Sequence, residues 1–290
     1  MNNPPGTAFH ADGPGPRGLG AIIIQMFRVY GNNMPRMVAI AAIVTIPLIA
    51  AGVAAFGPEF MDAILGSSVE ETPQPLPTSL MVSITVYGVL YTLGLLAVTG
   101  AIAEASINAL AGHPLSVGRA YNAALRRLPS IVGASLLTGL IAGLPLALAM
   151  TLAGSLSGST NILLFIVTLV LGIYLIVRLV FAPFAALLEQ RGPAAAVMRS
   201  WNLVSRMWLR TFGLLFLITF LLGLFQMAFQ LFGMIVPGVE AFFVSLVVVP
   251  LTVCANMLIY LDLRVRKEGY SLDHMQTELE ALSGPPEPPG

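Results

Sequence analysis

The sequence predicts an all-α integral membrane protein in which six transmembrane helices form three hairpins. Hydrophobic residues make up 57% of the 290-residue chain and charged residues only 10%, whereas soluble domains carry about 25% charged residues. Six apolar stretches each approach or exceed the roughly 20 residues that a bilayer core requires. A short pattern of a glycine, an aromatic residue and a hydrophobic run also occurs three times, which divides the membrane region into three units.

The repeated pattern predicts an amphipathic helix ahead of each hairpin. In each copy a glycine precedes an aromatic residue by nine positions, as in Gly18 and Phe27, Gly112 and Tyr121, and Gly192 and Trp201. Helical spacing places apolar residues on one face and arginines on the other, which is typical of a helix lying in the headgroup plane. We expect interfacial aromatic anchors at Phe27, Tyr121, Trp201 and Trp208. Chance alignment in a chain with 28 glycines is the alternative.

The membrane domain is predicted to cover residues 18–272. Its spans are placed at 36–56, 79–104, 130–153, 161–188, 211–236 and 240–262. Prolines lie inside four of the spans, at Pro47, Pro145, Pro183 and Pro250, and each is expected to kink its helix because it removes a backbone donor. The flanking segments 1–17 and 273–290 are expected to be tails, the first of them disordered by composition.

The distribution of basic residues predicts the orientation in the membrane. The loops at 57–78, 154–160 and 237–239 contain no lysine or arginine, so all 14 basic residues lie elsewhere. Under the positive-inside rule, both termini and the three amphipathic helices are cytoplasmic. The residues expected to contact anionic lipid headgroups are Arg28, Arg119, Arg126, Arg127, Arg199, Arg206, Arg264, Arg266 and Lys267.

Charged residues within the apolar runs are the strongest candidates for a functional site. Glu104 and Asp262 should lie at a similar depth near the inner face, and Arg178 lies about 15 Å along its helix from the same side. We therefore predict a polar cluster of these three residues at the bundle centre. In the functional interpretation, this cluster is a proton or solute relay. In the structural interpretation, it is an ion pair that fixes helix packing, or Arg178 snorkels to phosphates. We favour the structural interpretation.

Uncharged polar residues extend this candidate intramembrane cluster. Gln226 and Gln230 share one face of the fifth span, and Asn256 lies in the sixth. Hydrogen bonding between helices is the simpler interpretation, worth about 0.6 kcal/mol per contact. A stripe that binds a substrate is the alternative.

The sequence contains no recognisable catalytic motif. Cys254 is the one cysteine, which excludes an intramolecular disulfide, and the three histidines lie outside the apolar runs and form no metal-binding spacing. No nucleophile elbow, Walker loop or dinucleotide fingerprint occurs. We expect no enzymatic activity, metal or cofactor. The basic helices adjoin membrane spans, so lipid phosphate rather than nucleic acid is their expected partner.

Three segments resemble a bacterial family named for the membrane domain of glycerophosphoryl diester phosphodiesterases. They are Ile24 to Asn33, Glu189 to Trp201, and Tyr260 to Gly269. The resemblance implies a six-span unit in the bacterial cytoplasmic membrane. The catalytic barrel fused to some members uses a His-Arg pair and a Glu-x-Asp pair, and neither occurs here, so the resemblance implies no phosphodiesterase activity.

Two functions fit these observations. The first is a non-enzymatic scaffold or accessory component that binds anionic lipid and a membrane protein partner, or a second copy of itself, at the inner face. The second is a carrier or channel for a small solute or lipid, with a pathway past Gln226, Gln230, Asn256 and Arg178. A carrier requires a continuous polar cavity, whereas a scaffold should be packed dry at the midplane.

Overall fold

A computed structural model describes residues 18–56, 78–154, 159–233 and 242–283, and within these ranges the chain is helical and forms no strand. Six helices are long and apolar enough to cross a membrane, which confirms the predicted fold class. The predicted tail 1–17, the loop 237–239 and nearly all of the loop 57–78 lie outside the described residues.

The described residues form nine α-helices and one π-helical turn. Their bounds are α1 Leu19–Phe56, α2 Thr78–Leu110, α3 Val117–Gly154, α4 Ser159–Leu179, α5 Ala182–Leu188, α6 Pro193–Val204, α7 Trp208–Gly233, α8 Val249–Glu268 and α9 Leu272–Ser283, with a π-helical turn at Val244–Val248 leading into α8. The six spanning helices are α1, α2, α3, α4 together with α5, α7, and α8 with its π-helical turn.

The first two predicted interfacial helices are not separate elements. They form the opening turns of α1 and α3, which are continuous helices of 38 residues through Pro35 and Pro129. A helix of this length extends about 57 Å, well beyond a hydrocarbon core of about 30 Å. The expectation of three separate interfacial helices is therefore wrong for these two copies. It holds as a separate helix only for α6, which ends in a turn before α7 begins at Trp208.

Packing against the protein explains why α1 continues without a break. Ile22, Met26, Val29 and Tyr30 recur on one helical face and are all buried in the protein core. This face belongs to the protein core, and α1 as a whole packs against α2 and α8. Phe27, predicted to anchor in the interface, remains 47% exposed on the opposite side.

Helix α8 is the centre of the bundle. In its most apolar stretch 61% of the residues are buried, whereas the share in the other five spans is 11 to 33%. It packs mainly against α1 and α2 and less against α7, the other member of its predicted hairpin. The first two hairpins are closely paired, α1 with α2 and α3 with α4. The third hairpin is the loosest, because α8 turns toward the first.

Two of the four intramembrane prolines coincide with departures from regular helix. Pro183 follows a break between α4 and α5 at Val180 and Phe181, and Pro250 follows the π-helical turn. Both arrangements accommodate a residue that has no backbone N–H. Pro47 and Pro145 lie inside the continuous helices α1 and α3.

The C-terminal segment assigned to a tail contains a packed helix. Met275, Leu279 and Leu282 of α9 are buried, and α9 contacts α2, α3 and α5. The segment assigned to a C-terminal tail thus includes the helix Leu272–Ser283, which that assignment did not predict. Apolar residues at a spacing of four and three are the sequence signal that predicts this helix.

Candidate functional site

The charged residues of the described ranges collect at one end of the bundle, which we call the basic end. They fall in the segments 28–36, 104–127, 178–210 and 262–280, and comprise thirteen basic and seven acidic side chains. This end contains the start of α1, α3 and α7, the end of α2, α4 and α8, and all of α5, α6 and α9. Hydrogen bonds join these elements, such as the one from the Tyr121 hydroxyl to the Ile40 carbonyl.

The structure does not bring Glu104, Arg178 and Asp262 into one cluster. The carboxylate of Glu104 faces Arg119, with 3.6 Å between Oε1 and Nε. Asp262 is bound by Arg210 at 2.9 Å and by Arg266 at 3.0 Å. The prediction is wrong because Glu104 contacts Arg119, and Asp262 contacts Arg210 and Arg266, instead of Arg178. The depth of a residue along its helix does not determine which arginine lies beside it.

Arg178 lies in an aromatic cage. Its guanidinium stands 4.4 Å from the ring centroid of Trp201 and 5.1 Å from that of Tyr174. It donates to the Tyr174 hydroxyl at 2.6 Å and to the Trp201 carbonyl at 3.0 Å. Ser200 in turn donates to the Arg178 carbonyl at 2.8 Å. These contacts fix α6 against the end of α4, so Arg178 is a packing residue there.

The uncharged members of the predicted polar cluster do not form a buried stripe. Gln226 is half-buried on α7, whereas Gln230, one turn further along, is exposed. Asn256 is half-buried on α8. The core around α8 is formed instead by apolar side chains such as Met257 and Ile259.

Glu189 organises a network of charges at the centre of the basic end. This carboxylate accepts hydrogen bonds from Tyr260 at 2.6 Å, from Arg191 at 2.7 Å and from Arg199 at 2.8 Å, and Arg264 lies 3.7 Å away. Burial alone would raise the pKa of Glu189, but these hydrogen bonds and the Arg264 charge outweigh it and lower the pKa below its ordinary value. Glu189 is therefore held as a buried carboxylate with more than one cationic partner.

The network extends from Glu189 to the C-terminal helix. Arg199 also binds Glu268, with 2.6 Å between Nη2 and Oε2, and hydrogen bonding to Glu268 raises the pKa of Arg199. Arg264 forms a bidentate pair with Glu278 of α9, at 2.9 and 2.8 Å. Two parallel hydrogen bonds of this kind are among the stronger polar contacts in proteins.

Aromatic residues complete the attachment of α9. The guanidinium of Arg264 stands 3.9 Å from the ring centroid of Tyr270 and 5.7 Å from that of Tyr260. The Tyr270 hydroxyl donates to Glu278 at 2.7 Å, and burial together with that carboxylate raises the pKa of Tyr270. Arg264 is thus enclosed by protein groups, and the prediction that it contacts lipid headgroups is wrong.

Gln190 connects α3 to the C-terminal helix through its side chain. It accepts a hydrogen bond from Arg127 and donates to the Ala281 carbonyl at 3.1 Å. Its backbone has φ +51°, a left-handed conformation that is uncommon for residues other than glycine. The turn between α5 and α6 therefore places Glu189 and Gln190 toward different neighbours.

The remaining predicted headgroup contacts divide into two groups. Arg28, Arg126 and Arg206 are exposed, and so is Arg36. Protein groups bind the others and also Arg126: Pro114 binds Arg119, Asn122 binds Arg126, Gln190 binds Arg127, Glu189 and Glu268 bind Arg199, Asp262 binds Arg266, and Asn202 and Ser205 bind Lys267.

Two of the predicted aromatic anchors, Trp201 and Trp208, contact other protein groups. Trp208 stacks on Phe212 with 5.3 Å between ring centroids and packs against Tyr174. Trp201 covers Arg178. Both tryptophans thus make specific contacts with the protein, which amphipathic spacing alone does not reveal.

Comparisons of the chain with family models, with curated proteins and with solved structures give no match.

Proposed function

We propose that this protein is a non-enzymatic scaffold of the bacterial cytoplasmic membrane, whose basic end binds anionic lipid headgroups and a membrane protein partner. Both termini lie in the cytoplasm under this proposal, because lysine and arginine concentrate in cytoplasmic segments of membrane proteins. The resemblance to the membrane domain of glycerophosphoryl diester phosphodiesterases supports the same location, and the absence of the His-Arg and Glu-x-Asp pairs supports a role without phosphodiester hydrolysis.

The observation that carries the proposal is the arrangement of charge at the basic end. Its buried carboxylates are enclosed by arginines within the protein, as Glu189 and Asp262 are. Arg28, Arg36, Arg126 and Arg206 are exposed. The excess positive charge therefore faces outward, where each basic group near an anionic leaflet contributes about 1 kcal/mol of attraction.

The apolar centre of the bundle favours a scaffold over a carrier. The described part of α8 is packed in an apolar core that includes Met37, Ile40 and Met257. The residues proposed for a transport pathway are separated, with Arg178 in its aromatic cage and Gln230 on the exposed surface. A pathway for a polar solute would need these groups to line one continuous cavity.

The test compares the stability of the protein in nanodiscs of phosphatidylcholine with and without phosphatidylglycerol. We expect the thermal midpoint of the natural protein to rise with phosphatidylglycerol and to lose this increment in high salt. A variant with Arg28, Arg36, Arg126 and Arg206 all changed to glutamine should lose most of the increment. Its matched control changes the same four residues to lysine, which keeps the charge and should keep the response.

Two further outcomes decide between the function classes. Co-purification of one membrane protein in mild detergent, in amounts close to one per chain, would support a scaffold. Time-dependent uptake of a solute by proteoliposomes that contain the purified protein alone would overturn the proposal in favour of a carrier. An equal lipid response of the glutamine and lysine variants would contradict a role for the exposed arginines.

A further inference from the structure

A cleft of about 350 Å³ opens at the basic end, where α2 ends, α3 begins and α9 passes. Its lining residues are Glu104, Asn108, His113, Arg119, Gln276, Leu279 and Glu280. Its volume falls in the range of small-molecule sites, roughly 300 to 1,000 Å³. The Glu189 network uses none of these side chains, so the cleft is a separate feature of the fold.

One charged group in the cleft, Arg119, has a hydrogen-bond donor that the described protein does not use, and it faces the buried carboxylate of Glu104, which also interacts with the Asn108 side chain. Glu104 is only 3% exposed, and its Oε1 lies 3.6 Å from Nε of Arg119, which is beyond hydrogen-bond distance. The Nε–H of Arg119 is buried and has no hydrogen-bond partner among the described residues, although another nitrogen of the same guanidinium donates to the Pro114 carbonyl at 2.8 Å. A buried donor without a partner costs about 1–3 kcal/mol, so a ligand that satisfies it would be bound favourably.

The remaining lining residues give the cleft groups of both signs. Glu280 adds a second carboxylate from α9, and His113 adds an imidazole from the connection between α2 and α3. Asn108 and Gln276 add amides that either donate or accept. Carboxylates match an ammonium group, whereas a guanidinium matches a phosphate or a carboxylate.

We propose that this cleft binds a small zwitterion that carries a primary ammonium and a phosphate. The ammonium lies against Glu104 and Glu280, and the phosphate lies against Arg119 and His113. A ligand of this kind lies in the cleft beside the Glu104–Arg119 pair and adds one direct contact to each of the two charged groups. Two sources offer the chemistry, a free phosphoethanolamine-like solute and the headgroup of phosphatidylethanolamine. Glu104 is about 9 Å along α2 from its end at Leu110, a depth that a headgroup or a cytoplasmic solute can reach.

The experiment has one arm for each source. In the first arm, calorimetric titration of the full chain in maltoside detergent uses O-phosphoethanolamine, with ethanolamine and inorganic phosphate alone as comparison ligands. In the second arm, native mass spectrometry measures the phosphatidylethanolamine retained by the protein released from mixed-lipid nanodiscs. We expect saturable binding in at least one arm, and binding of the zwitterion at least about tenfold tighter than that of either half.

Variants locate the binding in the cleft. Glu104→Gln and Arg119→Gln should each weaken binding by at least about tenfold, because each leaves its charged ligand group unpaired. Glu280→Gln is an exposed change on α9 that keeps the test valid if a buried variant fails to fold. Asp273→Asn on α9 removes a carboxylate from an exposed position outside the cleft and should leave binding unchanged.

The outcomes distinguish the sources and decide the proposal. Binding in the first arm identifies a free solute, and site-dependent retention in the second arm alone identifies the lipid headgroup. Absence of binding by the natural protein in both arms would overturn the proposal. So would binding that the Glu280→Gln and Asp273→Asn variants share equally with the natural protein.

Discussion

The basic end and the opposite half of the spans are stabilised in different ways. At the basic end, large side chains such as Phe181 and Tyr260 are fully buried and carboxylates such as Glu189 are bound by arginines, although Leu209 on the outside of this end is exposed. In the opposite half, large apolar side chains face outward, among them Leu144 at 67% and Met150 at 73% exposure. Lipid tails solvate such side chains as well as a helix does, so they provide little drive for association. The comparison indicates that the basic end determines the arrangement of the helices.

The most severe test of this comparison is removal of the central carboxylate. Glu189→Ala leaves Arg199 and Arg264 without that buried counter-charge, and breaking a buried ion pair typically costs 3–5 kcal/mol. We expect a loss of about 3 kcal/mol or more in the free energy of unfolding, measured by chemical denaturation in detergent. Asp273→Ala, at an exposed position of α9, is the control and should change stability by less than about 0.5 kcal/mol. Equal stability of the two variants would refute a central role for Glu189.

Truncation in the core around α8 should have the next largest effect. Met257 is fully buried there, so Met257→Ala leaves a cavity and should cost about 2–5 kcal/mol. The same denaturation measurement applies. A loss below about 1 kcal/mol would mean that α8 is packed less tightly than the structure indicates.

Acid should weaken the basic end through Glu189. Its folded-state pKa is lowered, so its contribution to stability is fully present above the ordinary glutamate pKa and is lost as the pH falls through the lowered value. We expect the natural protein to lose stability on the acid side, and Glu189→Gln to be less stable at neutral pH but less sensitive to acid. Parallel pH profiles of the two proteins would contradict this assignment.

The smallest effect is expected in the opposite half of the spans. Leu144→Ala on α3 removes a side chain that is 67% exposed on the outside of the bundle. We expect a change below about 0.5 kcal/mol in the unfolding free energy, far from that of Met257→Ala. A cost as large as that of Met257→Ala would show that Leu144 is covered in the membrane, for example by a second copy of the chain.

The sequence predicts the spans well and the polar contacts poorly, for a physical reason. Twenty apolar residues form a spanning helix in any neighbourhood, so the positions of the spans follow from local composition. The hydrogen-bond partners of Glu189 lie up to 71 residues away, at Tyr260, and depend on how α5, α6 and α8 meet. Equal depth along two helices predicted a shared site for Glu104 and Asp262, but it does not determine which arginine each faces.

The amphipathic segments illustrate the same difference. The spacing of apolar residues in residues 18–34 identified a helix with one apolar face, and the structure agrees. Spacing does not state whether that face meets lipid or protein, and Met26 and Tyr30 meet protein. In α9 the apolar spacing of Met275, Leu279 and Leu282 is equally visible, although the polar residues around it suggested a tail.

The uninterrupted helix α1 has a mechanical consequence. Leu19 and Phe56 belong to one rod of about 57 Å, so the rod tilts as a unit unless it bends at Pro35 or Pro47. A tilt of about 5° applied at one terminus displaces the other by about 5 Å, as for any stiff lever of this length. A molecule that binds and tilts the Leu19 end of α1 would thereby displace the Phe56 end without contacting it.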